Sequence, residues 1–117
     1  MDNKEFAEKL ERRTSNFAVD IIRLSACMPN TPERRVIRNQ LTKSGTSIGA
    51  NYREANRSRS KADFKNKIRI CESEASETSY WLKIMDEIKW LPSDKIMPTF
   101  NECNELLALF TSIAKGI

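Results

Sequence analysis

Ser60 to Met85 reads SKADFKNKIRICESEASETSYWLKIM, with Phe64, Ile68, Cys71, Ala75, Thr78, Leu82 and Met85 separated by steps of four and three in strict alternation. Steps of that kind put every one of these side chains on a single face of an α-helix. The helix begins where Ser60-Lys61-Ala62-Asp63 resembles a capping box, with Asp in the place more often held by Glu or Gln. It ends at WLPSD, residues 90–94. A helix of about 30 residues, roughly 45 Å long, is therefore the longest element expected.

The same pattern extends in both directions. Toward the N-terminus, Phe6, Leu10, Phe17, Ile21, Leu24 and Met28 form a seam with one polar step at Arg13-Thr14. MPNTPERR interrupts it: Pro29 cannot continue the hydrogen-bond ladder, Thr31 is an N-cap candidate, and Pro32 suits the first helical position. A second helix presents Ile37, Leu41, Ser44, Gly45, Ile48, Tyr52 and Ala55. A fourth presents Ile96, Phe100, Cys103, Leu107, Phe110 and Ala114, with Pro98 in its first turn or at a kink and Gly116 as its stop. The spacing predicts helices over 3–28, 32–57, 61–91 and 94–115 in one domain spanning 1–117. Short connections make sequential helices neighbours, so the expected fold is all-α, an antiparallel up-down-up-down four-helix bundle. Ile70, Trp81, Ile84, Ile88, Leu106 and Ile113 lie on a second apolar stripe, and a stripe wider than one seam calls for a thick core or a partner subunit.

Composition narrows the function. The chain has 117 residues, 31% of them charged, with three glycines, four prolines and no histidine. Lack of histidine removes Ser-His and Cys-His nucleophile pairs and the Glu-x-x-His metal motif of helical bundles. No catalytic residue, metal or cofactor is expected. Cys27, Cys71 and Cys103 are odd in number and far apart, as suits reduced and mostly buried thiols. The N-terminus lacks the apolar run of a signal peptide, and LLALFTSIA is too short to span a bilayer. A cytoplasmic protein with no membrane partner is the expectation.

Two features of the second helix carry the functional question. Gly45 and Gly49 share one face, and glycine inside a helix costs about 0.5 to 1 kcal/mol relative to alanine, so close approach of a facing helix is the expected compensation. SGTSIGAN lacks the GK[ST] ending of a phosphate loop. Gln40, Ser44, Ser47, Asn51 and Glu54 form a polar stripe, which either fixes register through interhelical hydrogen bonds or lines a groove, with Glu74 and Glu77 as candidate partners.

The second feature is charge. Residues 34 to 69 hold eleven Lys and Arg against Glu54 and Asp63, a net of +9, and the rest of the chain carries −5, which gives the overall +4. Arg53, Arg57, Arg59, Lys61, Lys65 and Arg69 converge near the turn between the second and third helices; Arg34, Arg35 and Arg38 lie about 25 to 30 Å away. Cations near helix N-termini, such as Lys61, Lys65, Arg34 and Arg35, are locally unfavourable, which hints at an anionic ligand. Tyr52, Trp81 and Trp90 sit on or beside apolar seams, so recognition of nucleic acid would run through backbone and shape.

QLTKSGTSIGANYREANRSRSKADFKNKIRICESEASETSYWLKIM (40–85) and NECNELLALFTSIAKGI (101–117) resemble the four-helix-bundle proteins encoded by intervening sequences in bacterial 23S ribosomal RNA genes. Gln40, Leu41, Ser44, Ser47, Ile48, Asn51 and Glu54, then Ala75, Glu77, Tyr80, Trp81 and Leu82, carry the resemblance. It implies a homopentameric ring related to the accessory variability protein of diversity-generating retroelements, and a non-enzymatic role in RNA or DNA binding. The alternative is a scaffold for a protein partner, such as a reverse transcriptase or a ribosome-associated factor.

Overall fold

The computed structural model describes residues 3–117 and contains four helices: α1 (Asn3–Ala26), α2 (Pro32–Ala55), α3 (Lys61–Ile88) and α4 (Ser93–Lys115). Each helix packs on two others, α1 on α2 and α4, α3 on α2 and α4, so the remaining pairs face each other across the core. The molecule measures 44 × 25 × 20 Å, its long dimension matching the roughly 42 Å expected of the 28-residue α3.

Local chemistry sets the helix limits. Thr31 caps α2, its hydroxyl accepting from the Arg34 N–H at 3.3 Å, and Pro32 holds the first position, where its missing N–H costs nothing. Ser60 caps α3 in the same way, accepting from the Asp63 N–H at 3.0 Å. Helix α3 stops at Ile88, three residues short of the expected limit. Lys89 turns left-handed there (φ 62°), and the N–H groups of Lys89 and Trp90 close on the carbonyls of Asp86 and Met85. Helices α1 and α2 each end two residues short, before Cys27 and Asn56. Pro98 lies inside α4, in its second turn.

The core is built from the expected seams with some exchanges. Phe17, Ile21, Leu41, Ile48, Ile68, Leu82, Met85, Ile96 and Phe110 are fully buried, and Tyr52 meets Phe110 edge-on across the bundle at 5.5 Å between ring centres. Phe6, expected in the α1 seam, is 40% exposed, because the seam closes only at Leu10. On α4 Leu106 is fully buried, whereas Leu107 is half-buried. Both residues bridge Cys103 and Phe110 by a three and a four, so spacing alone could not choose between them.

Helix α1 meets α2 unusually closely. A Cβ on Gly45 would lie 2.8 Å from both Ile21 Cγ1 and Ile21 Cγ2, and one on Gly49 would lie 3.0 Å from Thr14 Oγ1. Contacts along this seam run from Thr42 with Ser25 (3.2 Å) to Asn56 with Glu11 (2.8 Å). Between α2 and α3, the buried Ser44 and Thr78 hydroxyls lie 2.9 Å apart, and the Cys71 thiol points at the Ile48 carbonyl. Cys103 makes the equivalent contact with the Ala75 carbonyl, and burial pushes both thiols up to about 12. Cys27 departs from the expected burial and is exposed beyond the end of α1. The α1–α4 seam is tied by Arg13, whose guanidinium donates to both Glu102 oxygens at 2.6 and 2.7 Å and to Glu105 at 3.1 Å.

Candidate nucleic-acid interface

The basic residues divide between the two ends of the bundle. At the α2–α3 turn, the chain leaves α2 at Asn56, whose side chain donates to Glu11 at 2.8 Å. That carboxylate also lies 4.0 Å from Arg53 Nε, a loose and largely solvated pair. Arg57, Arg59, Lys61 and Lys65 are all exposed. Among the described residues none of these four makes an ion pair or side-chain hydrogen bond. Arg69, farther along α3, lies 3.3 Å from Glu72. The hydroxyl of Thr111 also donates to Glu72, at 2.6 Å. That bond comes first among the causes holding the Glu72 carboxyl below its ordinary range, with Arg69 adding to it.

Arg34, Arg35 and Arg38 start α2 at the opposite end, and their surroundings differ. The Arg34 guanidinium lies 5.3 Å from the centre of the Trp90 ring, within cation–π range, and its buried Nε has no acceptor. Arg35 Nε donates to Asn30 Oδ1 at 3.2 Å, and Arg38 is half-buried. Two of these candidate phosphate contacts thus have structural partners. The ring that engages Arg34 lies 56 residues downstream, so no local pattern announces it.

The polar stripe is not a continuous buried row. Ser44 is buried against Thr78, but Ser47 bonds the Lys43 carbonyl one turn back and Asn51 the Ser47 carbonyl. Gln40, Glu54 and Glu77 are exposed. Glu77 accepts from Trp81 Nε1 at 3.2 Å within α3. Glu74, half-buried, has its carboxyl pushed up by burial first and by the charge of Glu77 second. The hydrogen bonds described between α2 and α3 are Thr78 with Ser44 and the Cys71 thiol with the Ile48 carbonyl, and none links either glutamate to the stripe.

A cleft of about 680 Å³ opens beside the turn, between the end of α2, the start of α3 and the end of α4. Asn56, Ser58, Arg59, Lys61, Phe64 and Ile117 are on its walls, and no carboxylate side chain is. Sequence spacing assigned Phe64 to the core seam. The ring does pack on that seam, but it remains half-buried and also faces the cleft. The spacing could not anticipate the cleft, because the end of α4 completes it. Among the described residues no group of three or more Cys, Asp or Glu is placed to hold a metal ion, and no helix is long and apolar enough to cross a membrane.

These features define a four-helix protein with four exposed cations, Arg57, Arg59, Lys61 and Lys65, clustered at the α2–α3 end. A family profile described as 23S rRNA-intervening sequence protein matches residues 8–112, and the chain belongs to that family. It is also similar to a solved structure from Bacteroides thetaiotaomicron, described as a protein with unknown function from the S23 ribosomal protein family. The two share 36% identity over 93% of this chain and 97% of the other, with a TM-score of 0.85. No curated protein matches the chain.

Proposed function

We propose that this protein is a non-enzymatic, oligomeric bundle that binds the phosphate backbone of RNA or DNA through the α2–α3 end. Arg57, Arg59, Lys61 and Lys65 are the principal contacts, with Arg53 and Arg69 at their margins. The observation that carries this reading is the set of four exposed cations without internal partners. A surface used only for solubility intersperses both charge signs, whereas the stretch from Arg53 to Arg69 holds seven Lys and Arg against Glu54 and Asp63, a net of +5. Phosphate contacts need no reacting group, in keeping with a chain that has no histidine.

The proposal includes an antiparallel up-down-up-down topology, supported by contacts that fall along one helix as they rise along its neighbour, from Thr42–Ser25 to Asn56–Glu11. It includes a homopentamer working in the cytoplasm. Self-association is supported by Val19, Ile22, Val36 and Ile88, which are 42 to 59% exposed and gain from burial against another copy. A salt series with structured RNA and duplex DNA, with light scattering on the same sample, tests both parts. Four phosphate contacts predict a log-log salt slope of about −3 to −4. Absence of binding at low ionic strength by a well-formed oligomer would overturn the nucleic-acid reading.

The second reading is a scaffold for another protein. Tyr80 supports it, being 56% exposed and set edge-on to Trp81 at 5.0 Å, the kind of aromatic anchor that protein interfaces favour. A partner retained after nuclease treatment and lost on Tyr80→Ala would favour the scaffold over the nucleic-acid surface.

A further inference from the structure

The cleft beside the α2–α3 turn differs in kind from the basic surface around it. An array of cations on an open surface contacts phosphates and leaves the bases alone. Here the same turn borders a concavity of about 680 Å³, within the size range of small-ligand sites. Its walls offer three kinds of group. Arg59 and Lys61 supply positive charge, Asn56 and Ser58 supply hydrogen-bonding atoms, and Phe64 with Ile117 supplies apolar surface.

Of the two polar groups, Ser58 retains capacity. Asn56 is already engaged, its amide N–H donating to Glu11 and its side chain hydrogen-bonding with Tyr52. Ser58 makes only a long contact, 3.4 Å, to the Glu54 carbonyl. The charged side chains on the walls, Arg59 and Lys61, are both cationic and favour an anion. The aromatic wall favours an anion that carries a flat ring. A lone phosphate would leave Phe64 and Ile117 uncovered, and a purely apolar ligand would leave the cations unmatched.

We infer that this cleft receives one unpaired nucleotide of a bound nucleic acid, its base against Phe64 and its phosphate between Arg59 and Lys61. The inference rests on the backbone-binding reading above and extends it. Duplex nucleic acid keeps its bases stacked and cannot fill the cleft, whereas a bulged or single-stranded nucleotide can be turned out into it. The protein would therefore discriminate by structure, preferring an interrupted duplex to a perfect one, with little dependence on the identity of the base.

The test compares four labelled probes: a perfect RNA duplex, the same duplex with one bulged nucleotide, the same bulge made abasic, and single-stranded DNA of equal length. The expected result is roughly tenfold tighter binding of the bulged RNA than of the perfect duplex. The abasic bulge should lose that preference, since it keeps the phosphate and lacks the ring. If the single-stranded DNA shares the preference, the unpaired base is the determinant and the sugar is immaterial; if only the bulged RNA shows it, the cleft takes a ribonucleotide.

Phe64→Ala should reduce binding of the bulged probe to the duplex level while leaving duplex binding within about twofold. Because Phe64 also packs on the core, Ser58→Trp provides a second variant that fills the cleft from the turn. It should abolish the preference without lowering the melting temperature. Equal binding of perfect, bulged and abasic probes overturns the cleft proposal and leaves the backbone reading standing. No binding of any probe overturns both. A bulge preference that survives both variants places the base elsewhere on the protein and also overturns the proposal.

Discussion

The two ends of the bundle carry similar residues in dissimilar states. At the start of α2, Arg34 is spread over Trp90 and Arg35 is joined to Asn30; at the α2–α3 turn, Arg57, Arg59, Lys61 and Lys65 stand exposed with no described partner. Counting cations would rate both ends as candidate binding surfaces. Their partners separate them, because an arginine already packed on an aromatic ring must give up that contact to reach a phosphate. What distinguishes a binding surface is charge the fold leaves uncommitted.

The largest expected effect tests that distinction directly. Arg57→Glu with Lys65→Glu should weaken nucleic-acid binding about a hundredfold at moderate salt and flatten the salt slope by about two. Urea unfolding should move by no more than about 0.5 kcal/mol, since both side chains are exposed and unpaired. The mirror experiment, Arg34→Glu with Arg35→Glu, should do the reverse. Stability should fall by about 1 to 2 kcal/mol as the Trp90 contact is lost, while binding changes less than threefold. Equal loss of binding at both ends would erase the contrast.

Smaller effects sharpen it. Lys89→Gly should stabilise the Arg34 end by about 0.5 to 1 kcal/mol, because glycine takes the left-handed conformation without the strain of a side chain, and it should leave nucleic-acid affinity unchanged. The smallest effect is a null marker. Native protein should take up one equivalent of maleimide, at the exposed Cys27, because Cys71 and Cys103 are fully buried with thiols pushed up to about 12. In denaturant all three should react, counted by mass spectrometry. The Cys27 adduct, at the Arg34 end, should alter affinity less than twofold.

The helices were legible from the sequence because their seams are local patterns. Steps of three and four fix which side chains share a face whatever lies opposite, and the caps at Thr31 and Ser60 are written within three residues of the helices they start. The same locality explains the failures. Phe6 continues its seam in sequence, but the structure begins to bury α1 at Leu10. Leu106 and Leu107 fit the spacing equally well, and the packing of α4 chooses between them. The polar stripe reads as one row, yet only Ser44 meets a buried partner on the facing helix, while Ser47 and Asn51 satisfy themselves on their own backbone.

The candidate site divides along the same line. Its charges lie within seventeen residues and stand out in the sequence, from Arg53 to Arg69. Its shape does not, because the cleft needs Gly116 and Ile117 brought beside the turn by the whole length of α4. The diversion of Arg34 likewise depends on where the α3–α4 connection places Trp90. Electrostatic composition can be read along a chain, but concavity and the engagement of a side chain by a distant ring emerge only from the tertiary arrangement.

The notch formed by Gly45 and Gly49 has a mechanical consequence. Ile21 and Thr14 sit in it so closely that α2 cannot roll about its axis without forcing the branched Ile21 side chain out of its seat. Arg53, the last cation on α2, lies eight residues beyond Gly45, about 12 Å along the helix. The azimuth of Arg53 is thus indexed by a lock in the middle of the shaft, like the bit of a key held at its collar. The two glycines set the direction in which that end of α2 faces.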